Sequence, residues 1–219
     1  MLIMVRTSEV GSTTIVSFQT KYPTFSPADL ERTMTQFEFQ RGAVPISQVG
    51  GQTEQIFYSK DNTTIDVDWQ NQILNFRFFN KINIVSVQDI INKILLQLKI
   101  DPSSISLMGV DCRTMAHDIG VPSDNLTSLI SKESKSRLAK IYSGEPAVFS
   151  MVLMNKNPQE EDLQIRIEPL LSNPQESFFI HMNYRTKIHE KFDAFIVKFG
   201  ENLIKDIAES VCVRNAGNN

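Results

Sequence analysis

The chain has 219 residues and a formal net charge of −3, with 41% hydrophobic and 21% charged residues. That length admits one large domain or two of about 100 residues, and the composition is that of an ordinary globular protein. The slight acidic excess argues against the broad basic surface of duplex-binding proteins.

The cysteines and the first residues bear on the compartment. Cys112 and Cys212 are far apart and form no CxxC pair, so we expect a reducing compartment, the cytoplasm. The apolar start at residues 1–5 ends at Arg6, which is too short for a signal-peptide core. No stretch reaches the roughly 18 apolar residues of a membrane span. We therefore expect no membrane association.

The first elements in chain order are a strand and a capped helix. Residues 13–19 are β-branched and aromatic, which favours a strand. Ser26, Pro27 and Asp29 together form a helix-start signal, since they supply a cap, a preset first φ angle and a charge that suits the helix dipole. Residues 40–52 contain three glycines and a proline, which predicts a loop, and they lack the Lys-Ser/Thr ending of a phosphate-binding loop.

Three strands follow in the first half. They are predicted at 55–58, 64–69 and 73–79. Alternation in the second of these places Asp66 and Asp68 opposite apolar side chains, so both acids are expected to be solvated. The third strand likewise places Arg77 on a polar face, and a hairpin with one wet face is the natural interpretation.

The second half repeats this order of elements. A helix opened by Ser86 closes the first half, and Asp101-Pro102 separates residues 1–102 from residues 103–219. The second half is predicted to contain a strand at 104–110, a loop at 111–122, a helix at 123–141, strands at 146–154, 163–168 and 178–184, and a helix at 188–207.

The repeated order predicts the fold class. We expect an α+β protein of two similar βαβββα halves, with mainly antiparallel sheets each covered on one face by helices. The two halves could be separate domains or parts of one continuous domain. Sequence identity between them is negligible, so ancient duplication and coincidence both remain open.

Reactive side chains cluster at one place, in the predicted loop 111–118. Asp111, Cys112, His117 and Asp118 lie there, but their spacing matches no known nucleophile or zinc signature. We predict no catalytic residue, no metal site and no cofactor. A small hydrolase-like enzyme that uses this loop or the polar sheet face is the alternative.

The polar sides of the predicted strands supply the candidate ligand-binding residues. These are Arg77, Arg166, His181, Asn183 and Arg185. Arginine pairs well with carboxylate and phosphate, so one interpretation is a face that binds a small anionic ligand or another protein. These side chains could instead face water, or become buried where the halves or two subunits meet. Self-association as a homodimer is therefore also expected.

A basic run in the second half permits one more interpretation. Lys132, Lys135, Arg137 and Lys140 are opposed by Glu133 alone, and a solvated helix face is expected. Nucleic-acid binding through these basic residues is a further alternative.

The duplicated order of strand, helix, strands and helix resembles the pseudo-symmetric saddle of the TATA-binding proteins, over nearly the whole chain and in element order alone. The resemblance implies a saddle-like sheet with an open face. That face is expected to carry Asp66, Asp68 and Glu168, which would repel a phosphate backbone, so duplex DNA is not an expected partner. The leading hypothesis is a non-enzymatic binding or assembly protein.

Overall fold

A computed structural model describes residues 6–48, 51–80, 85, 88–117, 122–140, 148–155, 159–200 and 203–211. The strands in these ranges are β1 (Arg6–Thr20), β2 (Gln40–Gln48), β3 (Gly51–Lys60), β4 (Thr63–Asp68), β5 (Ile73–Phe79), β6 (Ile105–His117), β7 (Met151–Met154), β8 (Glu161–Pro169) and β9 (Ser177–Thr186). The α-helices are α1 (Pro27–Gln36), α2 (Gln88–Gln97), α3 (Pro122–Ser128), α4 (Lys132–Ala139), α5 (His189–Gly200) and α6 (Leu203–Val211). No helix among the described residues is long and apolar enough to cross a membrane.

All the described strands belong to one sheet. Its order is β2-β3-β4-β5-β1-β6-β9-β8-β7, and each neighbouring pair is antiparallel. The sequence predicts a sheet in each half, whereas β1 and β6 pair at the centre, with Val16 opposite Val110, and join the strands into one sheet. The α+β class with a large antiparallel sheet is confirmed.

The first half differs from the prediction in two places: β1 is longer, and a strand occupies the predicted loop before β3. Glycine explains both differences. β1 begins at Arg6 because Gly11, with a φ of 78°, sits in a bulge within the strand. The predicted loop 40–52 is wrong, since β2 and the start of β3 lie there. Gly42 gives room to the ring of Phe57 on β3, and a proline is tolerated because β2 is an edge strand.

Two further predictions change in the second half. Residues 111–117 continue β6, because they pair with β9 as far as His117, so the predicted loop is a strand there. The predicted helix 123–141 is two helices, since Ser131 accepts a hydrogen bond from the Ser134 backbone N–H and starts α4. The final helix is described as α5 and α6.

Some predicted features fall outside the described residues. These are Ser86 as a helix cap, the first residues of the 146–154 strand and Asp118. The predicted cap of α1 is confirmed: Ser26 Oγ accepts from the Asp29 backbone N–H, and the Asp29 carboxylate accepts from the Ser26 N–H.

The hydrophobic core lies on one face of the sheet. Alternate side chains of the strands are buried there in one cluster with residues of α1, α2, α5 and α6. The Phe192 ring of α5 meets the Phe18 ring of β1 edge-on at 5.7 Å, and Phe195 stacks on Tyr184 of β9 at 3.7 Å. The opposite face, which carries Ile15, Arg77, Asp111, Asn183 and their neighbours, is called the open face below.

Candidate binding site on the open face

Two short motifs share the residue pattern Asn-aromatic-Arg on the strands that flank the central pair. β5 contains Asn75-Phe76-Arg77 and β9 contains Asn183-Tyr184-Arg185. In both strands the aromatic side chain is buried in the core, so alternation places the Asn and Arg side chains on the open face. β5 and β9 are three strand spacings apart, about 14 Å.

The strand register arranges these residues in two opposed rows. One row runs Arg77, Ile15, Asp111, Asn183 across β5, β1, β6 and β9. The next row, two residues along each strand, runs Asn75, Ser17, Gly109, Arg185 across the same strands. Each row therefore has an arginine at one end and an asparagine at the other, and the two rows point in opposite directions.

The charges of the first motif are fully matched within the sheet. Arg77 Nε donates to Asp66 Oδ1 at 2.7 Å, and Asn75 Nδ2 donates to Asp66 Oδ2 at 3.0 Å. Ser17 Oγ donates to Asn75 Oδ1 at 2.8 Å. Asp66 is 3% exposed, so the expectation that it is solvated is wrong: the neighbouring side chains cover it.

Asp68 has a different role from Asp66. Its carboxylate accepts hydrogen bonds from the backbone N–H groups of Gln70 and Asn71 and from the Asn71 side chain. These bonds, led by that of the Asn71 side chain, hold the pKa of Asp68 below its ordinary value. Asp68 thus stabilises the turn between β4 and β5.

Asp111 organises the second motif. His181 Nε2 lies 2.6 Å from Asp111 Oδ2, and Asn183 Nδ2 donates to the same oxygen at 3.1 Å. Since a carboxylate oxygen only accepts, the shared hydrogen belongs to His181 Nε2. Arg113 Nε lies 3.3 Å from the other oxygen, Asp111 Oδ1.

Arg185 differs from the other two arginines of the groove in its contacts. It is exposed, and the described part of the chain provides no hydrogen bond or ion pair to its guanidinium. The difference from Arg77 lies in the adjacent strand, β8. There Gln164 pairs with Asn183, at the position where the acid Asp66 pairs with Asn75 in the first motif. The acid that sits directly opposite Arg185, Asp162, accepts a hydrogen bond from Gln164 instead.

Gly109 gives Arg185 its position. Gly109 is opposite Arg185 in the register, and a Cβ at Gly109 would lie 3.6 Å from Arg185 Cγ and 3.3 Å from the Tyr184 carbonyl oxygen. The stem of Arg185 therefore lies across the bare backbone of β6. Gly109 occupies the place in its row that Ile15 occupies in the other.

These residues line a groove of about 470 Å³ at the centre of the open face. Its polar lining includes Asn75, Arg77, Asp111, Arg113, Asn183 and Arg185. Three of the five predicted ligand-binding residues are thus brought together in the groove, namely Arg77, Asn183 and Arg185. His181 is placed against Asp111, and Arg166 pairs with Glu168 at 2.7 Å on β8.

Asp111, Cys112 and His117, the described members of the reactive group that the sequence places at 111–118, are not brought together. Asp111 lies on the open face, whereas Cys112 is buried in the core on the other side of the strand. Burial raises the pKa of the Cys112 thiol to about 12, so the reactive thiolate is suppressed. His117 Nδ1 lies 2.8 Å from Ser177 Oγ, away from both.

A metal site and a nucleic-acid site on α4 find little support among the described residues. No group of three or more His, Cys, Asp or Glu side chains in those ranges is placed to hold a metal ion. The basic residues of α4 lie on a helix without buried side chains, and Arg137 pairs with Glu133 at 2.6 Å.

The sequence analysis missed two parts of this site. The repeated Asn-aromatic-Arg motif is visible in the letters once the last strands of the two halves are aligned, and that alignment could have revealed it. The role of Gly109 depends on the register of β6 against β9, for which the sequence holds no local signal.

No family model matches the chain, and no curated protein matches its sequence.

Proposed function

We propose that the chain is a non-enzymatic binding protein whose open face holds the anionic group of a small ligand at Arg185. The observation that carries this proposal is the state of that guanidinium. Arg77 and Arg113, the other arginines of the groove, lie beside carboxylates, whereas Arg185 is exposed with no partner among the described residues. Such an arginine offers a planar fork of donors to a carboxylate or phosphate.

The proposal includes an internal duplication, with residues 1–102 and 103–219 as related halves. The two opposed rows support it, because a twofold rotation between β1 and β6 exchanges Arg77 with Arg185 and Asn75 with Asn183. The same rotation places Asp66 over Gln164. The second half then has a glutamine where the first half has the acid that binds its arginine. Asp162, directly opposite Arg185, is hydrogen-bonded to Gln164 and not to Arg185, which leaves that arginine available to a ligand.

Inorganic phosphate and citrate are suitable first probes. Their binding is measured by NMR spectroscopy from the arginine Nε–H signals. Hydrogen bonds to charged groups contribute about 1.5–3 kcal/mol, so Arg185→Ala should lower the affinity about tenfold or more. Arg166→Ala is the matched control, since it removes an open-face arginine that is already paired with Glu168. Absence of saturable binding by both probes, or equal losses in the two variants, would refute the proposal.

One observation favours an enzyme as the second candidate. The Asp111–His181 contact at 2.6 Å resembles the pair that orients a general base in hydrolases. In the described part of the chain, however, no hydroxyl or thiol is hydrogen-bonded to His181. Turnover of p-nitrophenyl acetate or phosphate that His181→Gln abolishes would favour the enzyme over the binding protein.

The edge strand β7 supports self-association as a homodimer. In the described sheet β7 pairs on one side, with β8, and it exposes Val152, Leu153 and Met154. Natural edge strands usually avoid such apolar side chains because they invite pairing with another chain. Val152→Lys should convert a dimer to a monomer in light scattering, whereas Leu171→Lys, at an exposed turn, should not. A wild-type monomer at all concentrations would exclude this proposal.

A further inference from the structure

The core side of the sheet contains a second cavity, on the opposite face from the open-face groove. It has a volume of about 280 Å³ and lies between α2 and α5, above the central strands. Val16, Phe18 and Met108 form its floor, and each is buried. The space is a cleft partly open to solvent, and concave clefts with a mainly apolar lining are the usual sites of small-molecule binding.

The two helices line the cavity with the same pattern of positions. α2 contributes Gln88, Ile91, Asn92 and Leu95 and, one residue further on, Leu96, whereas α5 contributes His189, Phe192, Asp193 and Ile196. Apart from Leu96, both sets follow the spacing i, i+3, i+4, i+7 of one helix face. In each set the second and fourth residues are apolar and the first and third are polar, so the cavity has an apolar body and a polar rim.

The rim selects the charge of an occupant. Asp193 supplies the rim's negative charge, the amides of Gln88 and Asn92 are neutral, and His189 Nε2 lies 2.9 Å from the Pro102 carbonyl oxygen. A ligand with a carboxylate would meet Asp193 unfavourably, whereas an amine, hydroxyl or ring N–H could donate to it.

The volume of the cavity indicates the size of the ligand that it could hold. A dry apolar cavity of about 150 Å³ accommodates benzene, so about 280 Å³ corresponds to a bicyclic aromatic body. We propose that the cavity between α2 and α5 binds a neutral or cationic small molecule with such a body and one hydrogen-bond donor. The site is separate from the groove at Arg185 and does not depend on it.

Three indole probes test size and charge on one scaffold: indole, tryptamine and indole-3-acetate. Isothermal titration calorimetry should give saturable one-to-one binding of indole and tryptamine and weaker binding of indole-3-acetate. Amide shifts in an NMR titration should centre on α2 and α5. Shifts centred on the open face, or no saturable binding by any probe, would overturn the proposal.

Two variants and one control complete the test. Leu95→Trp fills the cavity and should abolish tryptamine binding, with a thermal melt to establish that the variant is folded. Asp193→Asn, which is milder, should reduce tryptamine affinity about two- to fivefold and spare indole, because an exposed ion pair contributes that much. Glu190→Gln removes an exposed carboxylate from the same helix and should change neither affinity. Tryptamine binding that survives Leu95→Trp, or that is insensitive to Asp193→Asn, would count against the assignment.

Discussion

The buried contact between Asp66 and Arg77 gives an asymmetric prediction, in which losing the arginine costs more than losing the carboxylate charge. The Asp66 side chain is 4% exposed and that of Arg77 is 37% exposed. Arg77→Ala leaves a buried carboxylate with the Asn75 amide at 3.0 Å and the Gln55 amide at 3.5 Å. Asp66→Asn leaves a guanidinium that is already partly in water.

The magnitude follows from that difference in exposure. Removing one partner of a fully buried ion pair costs about 3–5 kcal/mol. Because Arg77 is more than a third exposed and Asp66 keeps its amide neighbours, we expect about 2–3 kcal/mol for Arg77→Ala. For Asp66→Asn, which loses charge-assisted hydrogen bonds but buries no unpaired charge, we expect about 1–2 kcal/mol.

Thermal and urea unfolding measure both values. For a chain of this length 1 kcal/mol shifts Tm by about 2–4 °C, so Arg77→Ala should lower Tm by about 4–12 °C. Arg137→Ala is the control, since its pair with Glu133 has both side chains about three-quarters exposed and should contribute under about 0.5 kcal/mol. If Asp66→Asn proved as destabilising as Arg77→Ala, burial of the carboxylate would not be the dominant cost.

Three further predictions concern a strand glycine, two buried tyrosines and the buried Cys112. Gly42→Ala places its Cβ 2.4 Å from Phe57 Cζ, at the end of a half-buried ring that must turn aside, so it should cost about 0.5–1.5 kcal/mol in urea unfolding; a raised midpoint would contradict the pairing of β2 with β3. Burial, helped by hydrogen bonds to Glu31 and Glu161, raises the pKa values of Tyr58 and Tyr184 to about 12. Absorbance at 295 nm should therefore show a late ionisation phase that Tyr58→Phe and Tyr184→Phe remove. Since folding favours the protonated phenols, the stability that they add is complete below about pH 10 and is lost as the pH rises to about 12. In a Cys212→Ser variant, Cys112 should resist Ellman's reagent until the chain unfolds, because burial raises the pKa of its thiol; rapid modification of the native protein would refute its burial.

The sequence was a good guide where a strand has one wet and one buried face. Residues 73–79 alternate in the letters, and Leu74, Phe76 and Phe78 are buried as predicted. It was a poor guide at β2, where a glycine and a proline are typical of a loop but are also tolerated on an edge strand. The burial of Asp66 was not predicted, because alternation determines which face of the sheet a side chain lies on and not which side chains of neighbouring strands cover it.

The candidate site was predictable in its residue types but not in its pairing. Polar alternation was enough to select Arg77, Asn183 and Arg185, which line one groove. Their partners depend on register, since Ile15 and Asp111 come between Arg77 and Asn183 through pairings about 60–100 residues apart in sequence. No local pattern could show that one arginine meets an acid while its counterpart does not.

That difference between the halves can be reversed by exchanging two residues on β8. Thr64 and Asp66 of β4 correspond to Asp162 and Gln164 of β8, so Asp162→Thr combined with Gln164→Asp gives the second half the acid of the first without changing net charge. The new carboxylate should pair with Arg185 as Asp66 pairs with Arg77, and should add up to about 1 kcal/mol of stability because Arg185 is exposed. Phosphate and citrate affinity should fall at the same time, since the ligand would compete with an internal acid; functional sites often trade stability for binding in this way. Unchanged anion affinity in a folded double variant would refute either the equivalence of the two strands or the role of Arg185, and Arg185→Ala alone distinguishes the two.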